Sequence, residues 1–200
     1  MKKAILSWMV LTVMALPLHA QEAPGGIPIS LSFTNNATQL FSSGLTRPIH
    51  PGITLGTQTV YAQKEKATWF QSYKLAWFYH AYSMHGFNLY TDAGYARQVV
   101  GNLGLSVELG VGYLLSKVDG QVFERTETGT YDYIPSKLRS QFTAGLQAGL
   151  FYQLPQRPVR LQVDYRFWLQ APFVKTYVPV LPYTTLQLGV LFHLPKREKS

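Results

Sequence analysis

Apolar and polar residues alternate with a period of two along several stretches of this chain. From Leu103 onward, Leu103, Leu105, Val107, Leu109, Val111, Tyr113 and Leu115 take one face, while Gly104, Ser106, Glu108, Gly110, Gly112 and Ser116 take the other. The same pattern sets Phe142, Ala144, Leu146, Ala148, Leu150 and Tyr152 against Gln141, Thr143, Gly145, Gln147, Gly149 and Gln153. It recurs with Val159, Leu161, Val163, Tyr165, Phe167 and Leu169 opposite Arg160, Gln162, Asp164, Arg166 and Trp168, and with Leu186, Leu188, Val190, Phe192 and Leu194 opposite Thr185, Gln187, Gly189 and His193. A period of two is the signature of a strand with chemically different faces, and helical spacing fits none of these segments. Less regular alternation predicts further strands around 52–63, 68–80 and 87–98, and a short one near 28–34. Eight strands are thus expected, an even number and the smallest common size for a single-chain membrane barrel.

The connections between these strands alternate in length. Lys64 to Ala67, Val99 to Asn102 and Leu154 to Pro158 are short, whereas Asn35 to Pro51, Ala81 to Gly86, Val118 to Lys137 and Ala171 to Pro182 are mostly long. Short turns at one end and long loops at the other match the asymmetry of outer-membrane barrels, whose turns lie in the periplasm and whose loops face outward.

The start of the chain reads differently. Lys2 and Lys3 precede an apolar run from Ala4 to Leu16, and Pro17-Leu18-His19-Ala20 ends on a small residue. That is the three-part pattern of a secretory signal peptide, residues 1–20. Its run is too short for the roughly 20 residues of a membrane-spanning helix. No later segment is apolar enough to span as a helix. The exported chain, 21–200, would carry a net charge of +6 once Lys2 and Lys3 are removed from the total of +8. Only 14% of residues are charged, against roughly 25–35% on an ordinary soluble surface. The chain has no cysteine, which rules out a disulfide scaffold and a lipidated N-terminus. An exported chain without a helical anchor and with too few charges for water is expected to be an all-β, eight-stranded antiparallel up-and-down transmembrane barrel over residues 21–195. A basic periplasmic tail over 196–200 would follow it, leaving no room for a further domain. A soluble barrel would exchange the faces, but the polar face here is Gly, Ser, Thr and Gln with scattered charge, which suits a crowded interior.

The pattern resembles the small eight-stranded outer-membrane barrels of the OmpA-barrel and OmpX type in the porin-like superfamily, over essentially the whole exported chain. The resemblance implies localisation to the cell outer membrane of a Gram-negative envelope. It also implies an insertion signal in the last strand, read by the barrel assembly machinery. Gln187, Gly189, Phe192 and Leu194 fall on its spacing of polar, glycine and two aromatic or apolar residues.

Eight strands enclose a lumen that side chains fill. Residue heights counted from the turns place Lys74, Asp92, Glu108, Asp164 and Arg166 in one inward-facing layer, with Arg139 and Arg160 toward the two ends. Such a layer is either a gate or a structural ion network, and the narrow lumen favours the network. Some of the small outer-membrane barrels that the chain resembles are lipid A-modifying enzymes, and those of the deacylase type place Ser, His and an acid on the lipid-facing wall. Here His50, His80, His85 and His193 are all expected away from that wall, and the His-x-Ser spacing is absent. The best available set is His80 and Ser83, with Glu124 or Glu127 as a third member, so a non-enzymatic role is expected. No metal-ligand spacing is present and no cofactor is expected. The net positive charge has no basic, aromatic-interleaved patch behind it, which argues against nucleic acid. Arg47, Lys117, Arg125, Lys137 and Lys175 fall in the outward loops, where lipopolysaccharide phosphates or a protein partner would meet them. A narrow pore for small solutes is the alternative function.

Overall fold

The computed structural model describes residues 26–37, 49–80, 84–119, 122–125, 129–134, 137–173 and 179–194. The expected signal peptide and the basic tail lie outside them. The strands are β1 (Ile27–Ala37), β2 (Pro51–Lys64), β3 (Ala67–His80), β4 (Met84–Val100), β5 (Leu103–Val118), β6 (Val122–Arg125), β7 (Tyr131–Ile134), β8 (Arg139–Gln153), β9 (Val159–Ala171) and β10 (Leu181–Leu194). Eight of them close into an antiparallel barrel in the order β1-β10-β9-β8-β5-β4-β3-β2, and β6 and β7 form a separate two-stranded hairpin. Closure runs from Ile27 opposite Leu194 to Ala37 opposite Thr184. A closed sheet leaves no unpaired edge, the condition for crossing hydrocarbon with strands.

The alternation decides which side chains go where. Leu105, Val107, Leu109, Leu146, Leu150, Leu161 and Val163 point outward and are about half exposed, while Thr143, Gln147, Asp164, Arg166 and Gln187 are buried inside. An apolar exterior around a polar interior is the inverse of a soluble barrel and suits lipid as the outer solvent. Near the short turns, Trp69 and Tyr95 meet on the outer face with ring centroids 4.7 Å apart. Near the long loops, Tyr113 and Phe142 pair at 5.7 Å. These are positions of the two aromatic girdles that mark bilayer interfaces.

Three features differ from the pattern-based expectation. β4 begins at Met84, so the connection expected over Ala81–Gly86 shrinks to residues 81–83. His85 reads as a polar loop residue, yet Met84 and Gly86 turn inward and carry the alternation across it. The hairpin β6–β7 occupies the loop expected over Val118–Lys137, its four-residue strands being too short to register as a period. At Tyr61 the register slips between Val60 and Ala62, a bulge in β2.

The lumen is layered. At the short-turn end Phe70, Ala96 and Phe151 form an apolar cluster. At the long-loop end Phe78, Met84, Leu114, Trp168 and Tyr183 form a larger one. Inward-facing Phe70, Phe78 and Phe151 each pair across strands with a glycine: Gly94, Gly86 and Gly104. A Cβ on any of these glycines would collide with the facing ring. Here glycine lets an aromatic ring lie against neighbouring backbone, which explains its frequency on the polar face.

Candidate functional site

Between the two apolar clusters lies a layer of ionised side chains. Asp92, on β4, is fully buried and accepts two parallel hydrogen bonds from Arg166 on β9, Nη1 to Oδ2 at 2.8 Å and Nη2 to Oδ1 at 2.9 Å. Lys74, on β3, donates to Glu108 Oε2 at 2.7 Å and to Asp92 Oδ2 at 3.4 Å. Glu108, on β5, also accepts from Ser72 Oγ at 2.9 Å and from Gln147 Nε2 at 3.0 Å. The ring of Tyr90 lies 4.2 Å from the Arg166 guanidinium carbon and 5.8 Å from Lys74 Nζ. The partners come from strands as far apart as β3 and β9, so the network staples opposite walls together across the lumen. Gly110 pairs directly with Asp92, and a Cβ there would run into the Asp92 carboxylate and the Thr91 carbonyl.

Asp164 and Arg160 occupy a neighbouring compartment. Asp164 is buried beside Gly149, and its Oδ2 has no hydrogen-bond partner. The Arg160 guanidinium carbon lies 4.2 Å from the Phe151 ring centre, with Nε unpartnered. Both line a small polar cavity with Ser30, Ser106 and Glu108. A second small cavity lies on the loop side, lined by Thr54, Asn88, Tyr90 and Arg166. Among the described residues, the inward basic side chains Lys74, Arg160 and Arg166 equal in number the inward acidic ones, Asp92, Glu108 and Asp164. Arg139 stands outside this layer: it is the first residue of β8, exposed at the loop-end rim opposite Ser116. Its inward parity loses meaning where the barrel opens to solvent.

Around Arg139 the rim is basic. Lys117 and Lys137 are also exposed, and the register between Ser116 and Arg139 brings the three to one edge of the β5–β8 pair. No acid pairs with any of them among the described residues. Arg47, Lys175 and the Arg125 side chain lie outside the description. Elsewhere on the rim, His50 is buried and stacks on His80 with centroids 3.7 Å apart. Burial pushes the His50 imidazole below its ordinary value. His85, expected away from the lipid-facing wall, is on it: it continues the outward face of Phe87 and Leu89, stacks with Tyr79, and places Nε2 4.0 Å from Asp119 Oδ2. Ser83, Glu127 and the Glu124 side chain lie outside the described residues.

No family model matches the chain, and no curated protein matches it. Among solved structures, Neisserial surface protein A aligns at 15% identity and a TM-score of 0.51, covering 84% of this chain and 96% of that one. The fold is that of the small eight-stranded outer-membrane barrels. Two further barrels of this kind align: Ail, the attachment invasion locus protein of Yersinia pestis, at 18% identity, TM-score 0.49 and coverage of 85% and 99%, and the outer-membrane enzyme PagL at 10%, 0.49 and 84% and 99%. In this barrel, Gln187 and Gly189 of the closing strand face the lumen, Gly189 against Ser32, while Phe192 and Leu194 face outward.

Proposed function

We propose that this is an exported, integral outer-membrane barrel with a closed lumen, acting by contact and not by catalysis. Its outward rim meets the phosphates of lipopolysaccharide, and its closing strand carries the signal that the assembly machinery reads. The observation that carries the reading is the rim itself, where Lys117, Lys137 and Arg139 are exposed on one edge with no carboxylate partner among the described residues. Cations left unpaired beside an aromatic girdle are matched by an anionic headgroup at the same height. The Lys74–Asp92–Glu108–Arg166 layer then serves as a structural staple. A non-enzymatic role is supported by the surroundings of His85 and His193, which meet Asp119 and Tyr79, and the Pro158 carbonyl, respectively. Among the described residues, neither imidazole is hydrogen-bonded to a serine or threonine hydroxyl, the nucleophile that acyl transfer requires.

Changing Lys117, Lys137 and Arg139 together to Gln should reduce lipopolysaccharide retained through purification by about tenfold. Unchanged retention, with the barrel still folded, would move the contact elsewhere. The closed lumen has its own test: the purified barrel in a planar bilayer should stay at baseline conductance, and discrete openings would transfer the reading to a narrow pore.

A further inference from the structure

The outer wall is not uniformly apolar. On β5, β8 and β9 the outward positions through the middle of the barrel are Leu, Val, Ala and aromatic residues, but β2, β3 and β4 carry a polar patch. Thr59 lies opposite Gln71, and Tyr73 lies between Thr57 and Thr91, all on outward positions. Gln71 and Tyr73 are four and six residues above the start of β3. That is roughly 9–14 Å at about 3.3 Å per residue and a tilt near 45°. The patch therefore sits above the Trp69–Tyr95 girdle, within the apolar band.

Part of this patch satisfies itself. Tyr61 donates its hydroxyl to Gln71 Oε1 at 3.2 Å, Gln71 Nε2 donates to Thr91 Oγ1 at 2.5 Å, and Thr91 Oγ1 donates to the Ser72 carbonyl at 2.9 Å. Thr57 donates to the Pro28 carbonyl at 2.7 Å. That chain fixes the Gln71 amide but uses only one of its two N–H groups. The hydroxyls of Thr59 and Tyr73 make no hydrogen bond among the described residues. Lipid tails cannot donate or accept, and each polar group left open in hydrocarbon costs free energy.

We propose that the β2–β4 wall is where two copies of this barrel pair side by side in the membrane, an inference that rests on the membrane reading above. The open groups are a carboxamide, a hydroxyl and a phenol. All are uncharged and each both donates and accepts, so the patch is complementary to itself under a two-fold axis. Because no net charge is present, an ionic partner would gain nothing there. Ala93, small and exposed, lies beside Gln71 and lets a second wall approach closely, as small residues do at membrane interfaces.

The absence of native cysteine makes the test direct. Ala93→Cys would place a thiol at the proposed contact, and Val163→Cys on β9 a thiol on the opposite wall. In bilayers with lipid in large excess, a short bis-maleimide should cross-link the Ala93→Cys barrel into dimers and leave Val163→Cys monomeric. Adding Thr59→Val, Gln71→Leu and Tyr73→Phe to Ala93→Cys should cut dimer yield roughly fivefold, the scale of one or two membrane hydrogen bonds. Equal cross-linking at both walls would overturn the proposal, as would none at Ala93→Cys with the thiol still labelled by a monofunctional maleimide. Undiminished dimers in the apolar variant would overturn it too. Heat-modifiable mobility in each variant reports whether the membrane barrel itself is intact, which separates failure of the pairing from failure of the membrane reading.

Discussion

Asp92→Ala should lower the unfolding free energy of the barrel by about 3–5 kcal/mol, the scale for removing one partner of a buried ion network. The reason is what remains behind. Arg166 loses both ends of its bidentate bond, at 2.8 and 2.9 Å, and stays 3% exposed beside the Tyr90 ring, with no other hydrogen-bond partner among the described residues. Lys74 fares better, because Glu108 holds it at 2.7 Å. Arg166→Ala should cost a similar amount by stranding Asp92, although Lys74 at 3.4 Å offsets part of it. Replacing the pair together, Asp92→Leu with Arg166→Met, should recover most of the loss, since it removes both desolvation penalties along with their attraction. Urea titration followed by loss of heat-resistant gel mobility measures all of these. A midpoint for Asp92→Ala equal to that of the parent would mean that the network holds nothing together.

How far this arrangement could be read from the chain depends on what each residue contrasts with. Glu108 stands among Gly and Ser between outward Val107 and Leu109, so its inward direction is unambiguous, and the same holds for Asp164 and Arg166 on β9. Heights counted from the short turns place Lys74, Asp92, Glu108, Asp164 and Arg166 in one layer; four of them share a single hydrogen-bonded network, whereas Asp164 falls in the neighbouring compartment with Arg160, because height alone does not say which inward groups meet across the lumen. The apolar clusters that cap the layer were not legible. Phe70 follows Trp69, and Leu114 lies between Tyr113 and Leu115, so an inward apolar residue beside outward ones erases the alternation that would reveal it. Their signal was on the partner strand, where Gly94, Gly86 and Gly104 provide the space that the rings need. Arg139 illustrates the opposite limit: parity points it inward, but at the first residue of a strand there is no interior left. The polar patch on β2–β4 escaped for a third reason, since Gln71 and Thr91 are ordinary residues until the sheet places them on the outside of a wall surrounded by lipid.

The second large effect is expected at the loop-end cluster, from Trp168→Ala. Trp168 is 3% exposed, stacks on Tyr183 with centroids 4.5 Å apart and planes at 12°, and meets Phe78 edge-on at 5.9 Å. Its Nε1 donates at 2.9 Å to Thr185 Oγ1, which donates in turn to Asn36 Oδ1 at 2.7 Å, tying β9 to β10 and β1. Truncation should cost about 3–5 kcal/mol, because neighbours pinned on a closed barrel cannot collapse into the space. Trp168→Phe should retain most of the ring contact and lose about 1 kcal/mol with the hydrogen bond. Combined with Tyr183→Ala the losses should fall short of additive, since the two share one contact. Combined with Phe151→Ala, in the cluster at the other end, they should add. Conductance gives the decisive comparison. With Trp168 gone, the Arg166–Asp92 bridge and the Phe70–Phe151 cluster still obstruct the lumen, so the variant should remain electrically silent while being far less stable. If Trp168→Ala alone opened a steady current, closure would reside in one aromatic plug, and the charged layer beneath it would have to be understood as the lining of a conduit.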